Sequence, residues 1–135
     1  MGLNQPLNQL KLLINLAYVD GGVGEKEETY IYNIGAANGI SSETIRPLLS
    51  STHDTIVPND LNNDQKFNYI LSLVQLMKID ERLYVEEIRY CSKVAARLGY
   101  DHAVMFDLML HVKGVMGANE LEELKKLTAK YLSRS

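Results

Sequence analysis

The sequence predicts an all-α protein, and three observations predict it. Apolar residues recur at intervals of three and four almost throughout, and no segment alternates with period two for long enough to form a strand. The chain also matches itself at an offset of 60 residues. The expected architecture over residues 1–135 is a single-domain helical bundle, built from two pseudo-twofold-related three-helix units at about 10–50 and 70–110 and closed by a C-terminal helix.

Taken in order, Leu7, Leu10, Leu13 (or Ile14) and Ala17 line one face of a first helix. Tyr30, Ile31, Ile34 and Ala37 do the same for a second helix at about 25–38. Pro47 would break a long helix over 41–52 but is tolerated in a first turn, so the third helix should be short or kinked and start near Thr44. Residues 52–64 combine Pro58 with a run of Asn and Asp and carry no apolar period, which marks a linker. Phe67, Ile70 (or Leu71), Val74 and Met77 predict a fourth helix, and Ile88, Cys91, Ala95 and Leu98 a fifth at about 85–98. The stretch from Val104 to Leu110 is apolar on nearly every side, which predicts a helix buried at the centre of the bundle. A last helix should open at about Asn119, capped by that side chain with Glu122 reaching back, and turn Leu121, Leu124, Leu127 and Tyr131 inward. Lys125, Lys126, Lys130 and Arg134 crowd its C-terminal half, where the helix dipole favours cations.

Composition removes several function classes. Hydrophobic residues make up 46% of the chain and charged ones 23%, enough apolar matter for one core. A net charge of −3 supplies no bulk positive field, so nucleic acid is not an expected partner and the terminal lysines read as a solvated face. Cys91 is the single cysteine and can form neither an intrachain disulfide nor a cysteine-based zinc site. The N-terminal residues lack a basic segment followed by an apolar one, Pro6 spoils a myristoylation motif, and no apolar run approaches the roughly 18 residues that span a bilayer. These features together predict a cytoplasmic protein with no transmembrane segment. Ser/His/Asp triads, phosphate-binding glycine loops and H-E-x-x-H are absent from the sequence.

The repeat is read by laying residues 13–41 over 73–101. Leu13/Leu73, Leu16/Leu76, Asp20/Asp80, Glu27/Glu87, Tyr30/Tyr90, Ala36/Ala96 and Gly39/Gly99 are identical, seven of 29 positions. Val19/Ile79, Val23/Leu83 and Ile34/Val94 add matched apolar positions, and Ile45, Leu48 and Leu49 fall on Met105, Leu108 and Met109. Each unit thus reads helix, acidic loop, helix, glycine turn, helix. Gly39 and Gly99 follow the last periodic residue of a helix, where a left-handed C-cap is expected.

The most polar repeated feature is Asp-x6-Glu: Asp20 with Glu27, and Asp80 with Glu87. Neither is an EF-hand, because oxygen ligands would be needed at Gly22, Gly24 and Ile31 in one loop and at Arg82, Tyr84 and Cys91 in the other. Glu27 and Glu87 stand three residues after the expected N-caps Gly24 and Tyr84, where a glutamate bonds back to the cap amide. A carboxylate at a helix C-terminus, as at Asp20 and Asp80, opposes the dipole unless it accepts loop amides or meets a cation. Two readings follow, loop bracing or a weak divalent-cation site, the latter on Asp20, Glu27, Asp80 and Glu87. A spacing of four also sets Asp107 and His111 on one helix face, where a local hydrogen bond is expected, and the eight tyrosines are expected to be mostly half-buried.

The segment from Val19 to Glu27 resembles the "ADG-x-hydrophobic-x-x-x-E" signature of the TerB-like tellurite-resistance family, with Ile79-Asp80 to Glu87 as a degenerate second copy. The resemblance covers about residues 7–113. It implies an all-α fold with pseudo-twofold symmetry, a non-enzymatic role linked to stress or membrane-associated complexes, and divalent-metal binding by those acidic residues; an interaction or stress-response module with a protein partner is the expected function. Glu81-Arg82 replaces the glycine-containing turn in the second copy, so Arg82 competes there with a cation. The alternative from another class is a metal-dependent helical hydrolase or transferase. Only two ligands are assignable per loop, fewer than the three or more that a catalytic metal requires.

Overall fold

A computed structural model describes residues 4–19, 21–79 and 85–132. Among them are seven α-helices, one 3₁₀ turn and no strand beyond a single Tyr100–Leu132 bridge. The expected all-α class is what the chain adopts. It falls into two compact units, Met1–Pro58 and Asn59–Ser135, divided inside the expected linker.

The first unit comprises α1 (Asn4–Val19), α2 (Glu25–Ala37), α3 (Ser42–Ile45) and a 3₁₀ turn over Arg46–Ser50. Helix α1 is more deeply enclosed than a single apolar stripe predicts, because every residue from Leu12 to Ala17 is buried. Asn15 is the polar member of that run, and its amide is satisfied by the backbone of His53, donating to the carbonyl at 2.8 Å and accepting the N–H at 2.7 Å. Tyr18 donates to the Leu49 carbonyl at 2.8 Å. These bonds hold the third segment and the start of the linker against α1. As expected from Pro47, the α-helix of that segment is short, and the proline sits in the first turn of the 3₁₀ stretch, where its missing N–H leaves nothing unpaired.

The second unit comprises α4 (Asn63–Ile79), α5 (Val85–Leu98), α6 (Val104–His111) and α7 (Ala118–Ala129). The buried face of α4 includes Phe67, Ile70, Val74 and Met77, the set read from its period. Two expectations fail here. Helix α6 buries Val104, Met105 and Leu108, but Phe106 is 78% exposed and Leu110 is 76% exposed, so it lies at the surface rather than at the centre. Helix α7 starts two residues before the expected cap: Gly117 is the N-cap, and Glu120, not Glu122, accepts the cap N–H at 3.0 Å. Asn119 is therefore an exposed residue of the first turn and not its cap. Of its expected inward residues Leu124 is buried, while Leu121, Leu127 and Tyr131 are half-buried.

The 60-residue offset reappears in the backbone. Gly39 and Gly99 both have positive φ, 77° and 100°, where an L side chain is strained. Around them the same bonds recur: Gly39 N–H to Ala36 and Ile40 N–H to Gly35 in the first unit, Gly99 N–H to Ala96 and Tyr100 N–H to Ala95 in the second. Both turns are the two-bond helix C-cap in which the glycine supplies the left-handed residue.

Candidate functional site

In the first acidic loop, the C-terminus of α1 closes through Gly21 N–H to Tyr18 and Gly22 N–H to Ala17, at 3.1 and 3.2 Å. The chain then extends to Gly24, which N-caps α2 with φ −78° and ψ 172°. Glu27 Oε1 accepts the Gly24 N–H at 2.8 Å, the back-bond expected of a glutamate at that position. Glu25, Glu27 and Glu28 all stand in the first turn, where their charge complements the positive helix end. A cation in this loop would share Glu27 with the capping amide. Asp20 lies outside the described residues.

In the second loop, Glu87 occupies the first turn of α5 and is only 3% exposed. Its negative charge adds to burial in pushing the Cys91 thiol well above its ordinary range, so Cys91 is a small hydrophobe of the core and no nucleophile. Asp80 and the loop through Tyr84, Arg82 included, lie outside the described residues. No group of three or more His, Cys, Asp or Glu close enough to hold a metal ion occurs among the described residues. Any complete ligand set at these loops rests on Asp20 and Asp80.

Asp107 does not bond to His111 as expected. It accepts the Tyr131 hydroxyl at 2.7 Å, while Asp101 N–H donates to the Tyr131 carbonyl at 2.6 Å, so the end of α7 is pinned on the turn before α6. None of the described tyrosines is exposed; burial raises the phenols of Tyr30 and Tyr69 and pushes that of Tyr100 up to about 12.

The periodicity missed one surface altogether. The α6–α7 loop is anchored from beneath by α4: Lys78 Nζ donates to the Met109 and Val112 carbonyls at 2.8 and 2.7 Å, and Gln75 donates to the Lys113 carbonyl at 3.0 Å. Held this way, the hairpin presents Phe106, Leu110 and Val115 to solvent beside a groove of about 360 Å³ walled by Leu110, Met116, Leu124 and Leu127 and by the charged Lys113, Glu120 and Glu123. The one signal available in the sequence was that α6 carries no polar residue besides Asp107 and His111. No helix among the described residues is long and apolar enough to cross a membrane. No protein-family model, curated protein or solved structure matches the chain.

Proposed function

We propose that the chain is a non-enzymatic TerB-like helical module, an interaction or stress-response protein of the cytoplasm that binds divalent cations weakly at the acidic loops after α1 and α4. The observation that carries this reading is the recurrence, 60 residues apart, of a helix ending one residue before an aspartate and a helix whose first turn holds a glutamate. Glu27 and Glu87 occupy those first turns, and Asp20 and Asp80 follow Val19 and Ile79 in sequence. The exposed apolar side chains of α6 support an interaction role, since large apolar groups in solvent on a folded domain mark contact surfaces.

Calorimetric titration with Ca²⁺, Mg²⁺, Mn²⁺ and Zn²⁺ tests the cation reading. The first loop should bind with a dissociation constant on the order of 10⁻⁴–10⁻³ M, as low-charge oxygen sites do, and raise the melting temperature by linkage. Asp20→Asn should remove most of the heat, and Asp80→Asn less, because Arg82 follows two residues after Asp80 in sequence and is a cation that competes with a metal. No heat and no stabilisation at millimolar metal would leave both loops as structural braces. A metal-dependent hydrolytic or transfer turnover lost in Asp20→Asn would replace the module with the enzyme alternative.

A further inference from the structure

The repeat separates what this helical unit needs from what it merely carries. Ile45 and Met105, 60 residues apart, are both buried. Beside them the first unit exposes Arg46 and Ser50, and at the same offset the second exposes Phe106 and Leu110. In the first unit these positions lie on the 3₁₀ turn and are polar, whereas in the second they lie on α6 and are apolar, and the exposure of Phe106 and Leu110 means that the core does not account for them. Phe106 and Leu110 are four residues apart, hence on one face, and Val115 adds a 90% exposed side chain on the following loop.

On the groove side of α7, Glu123, Lys126, Leu127 and Lys130 follow one another at three, one and three residues and share a face. Glu123, Lys126 and Lys130 form no ion pair among the described residues; Lys130 lies only over the Tyr131 ring, at 5.2 Å. The helix is acidic in its first half and basic in its second, through Glu120, Glu122 and Glu123 and then Lys125, Lys126 and Lys130. Turned end for end, the acidic half of such a helix faces the basic half of a second copy, with the two Lys126 side chains flanking the axis. About an axis between Lys126 and Leu127, Glu123 meets the partner's Lys130, the same contact forms a second time by symmetry, and the two helix dipoles oppose.

The geometry points to the α6–α7 face as a self-association surface that takes a second copy of this chain, with Phe106 and Leu110 of each copy set against the groove of the other. A foreign helix would need its charges matched to this sequence, whereas a second copy is matched by twofold symmetry alone. Three exposed apolar side chains cannot by themselves supply the ~800 Å² per partner of a stable interface. The charged flanks must supply the rest, so the dimer is weak and reversible.

Sedimentation equilibrium of the full chain between about 5 and 500 µM should give a monomer–dimer equilibrium with a dissociation constant of about 10–100 µM. Phe106→Ser and, independently, Leu110→Gln should each weaken it about tenfold or more, with helix content unchanged because both sites face solvent. Glu123→Lys should weaken it about five- to thirtyfold, because the reversal falls at both symmetric contacts, and adding Lys130→Glu in the same chain should return it to within about threefold of wild type. A chain monomeric across the range overturns the proposal, as does a dimer indifferent to the apolar variants or a double reversal no better than the single one. A monomeric chain that loses binding of a different protein on Phe106→Ser would give the face to a foreign partner and equally overturn it.

Discussion

Gly35 is the point where α2 comes closest to its neighbours, and Gly35→Ala turns that approach into a measurable conflict. A Cβ there would overlap Ile45 Cδ1 and touch Leu10 Cδ1 at 3.6 Å. Alone, the change should stabilise a helix interior by about 0.5–1 kcal/mol. Ile45 is fully buried, so its terminal methyl can move only against packed neighbours, and overpacking of this kind removes about 1–3 kcal/mol. The net expectation is a loss of about 1–2 kcal/mol. Ile45→Val removes the clashing carbon and by itself loses about 0.5–1.5 kcal/mol. In the double variant the overlap is gone while the helix gain remains, so stability should return to within about 1 kcal/mol of wild type, a coupling of about 1–3 kcal/mol. Urea unfolding followed by circular dichroism, with an unchanged m-value, reads all four proteins. Strict additivity, or stabilisation by Gly35→Ala alone, would refute the packing argument.

Lys78→Met keeps the aliphatic stem but leaves the Met109 and Val112 carbonyls without their charged donor, and should lower stability by about 1.5–3 kcal/mol in urea unfolding. Gly39→Ala and Gly99→Ala force an L side chain into positive φ and should each lose about 1–2 kcal/mol, measured the same way. The Glu120 carboxyl is held below its ordinary range first by the Gly117 amide and then by Lys113, so its contribution is present above the ordinary carboxylate value and lost as pH falls through the depressed one. A carboxyl NMR titration of Glu120 should shift up in Lys113→Met. The Cys91 thiol, raised by burial and then by Glu87, should resist alkylation at about pH 8–9 in the native state and react once the chain is unfolded, and rapid labelling of native protein would contradict its burial.

The helical pattern was legible wherever one face meets the core and the other meets water. Helix α2 (Glu25–Ala37) and helix α5 (Val85–Leu98) fall within a residue of where the spacing of Ile31 or of Cys91, Ala95 and Leu98 sets them, because such spacing has one burial solution. The turns at Gly39 and Gly99 were equally legible, since a glycine closing a periodic run has a specific backbone use. The start of α7 was not. Two glutamates, Glu120 and Glu122, compete for the back-bond, and glycine at the N-cap offers no side chain to announce itself; the extended backbone of Gly117 decides it. The Tyr131–Asp107 bond joins residues 24 apart, beyond any local spacing rule.

Helix α6 shows why the candidate surface could not be read from the chain alone. Hydrophobic periodicity reports which faces are apolar and assumes that every apolar face is covered; it carries no information on what covers it. Val104, Met105 and Leu108 are covered within the unit, and Phe106 and Leu110 are not. The repeat supplies the missing comparison. At the aligned buried positions the sequence carries Gly35 and Ile45 in the first unit and Ala95 and Met105 in the second, and all four are buried. At the aligned exposed positions the sequence carries Arg46 and Ser50 on the 3₁₀ turn and Phe106 and Leu110 on α6. Nothing in their own unit covers Phe106 and Leu110, and this is the physical reason to look for contacts at the α6–α7 face as well as for cations at the acidic loops.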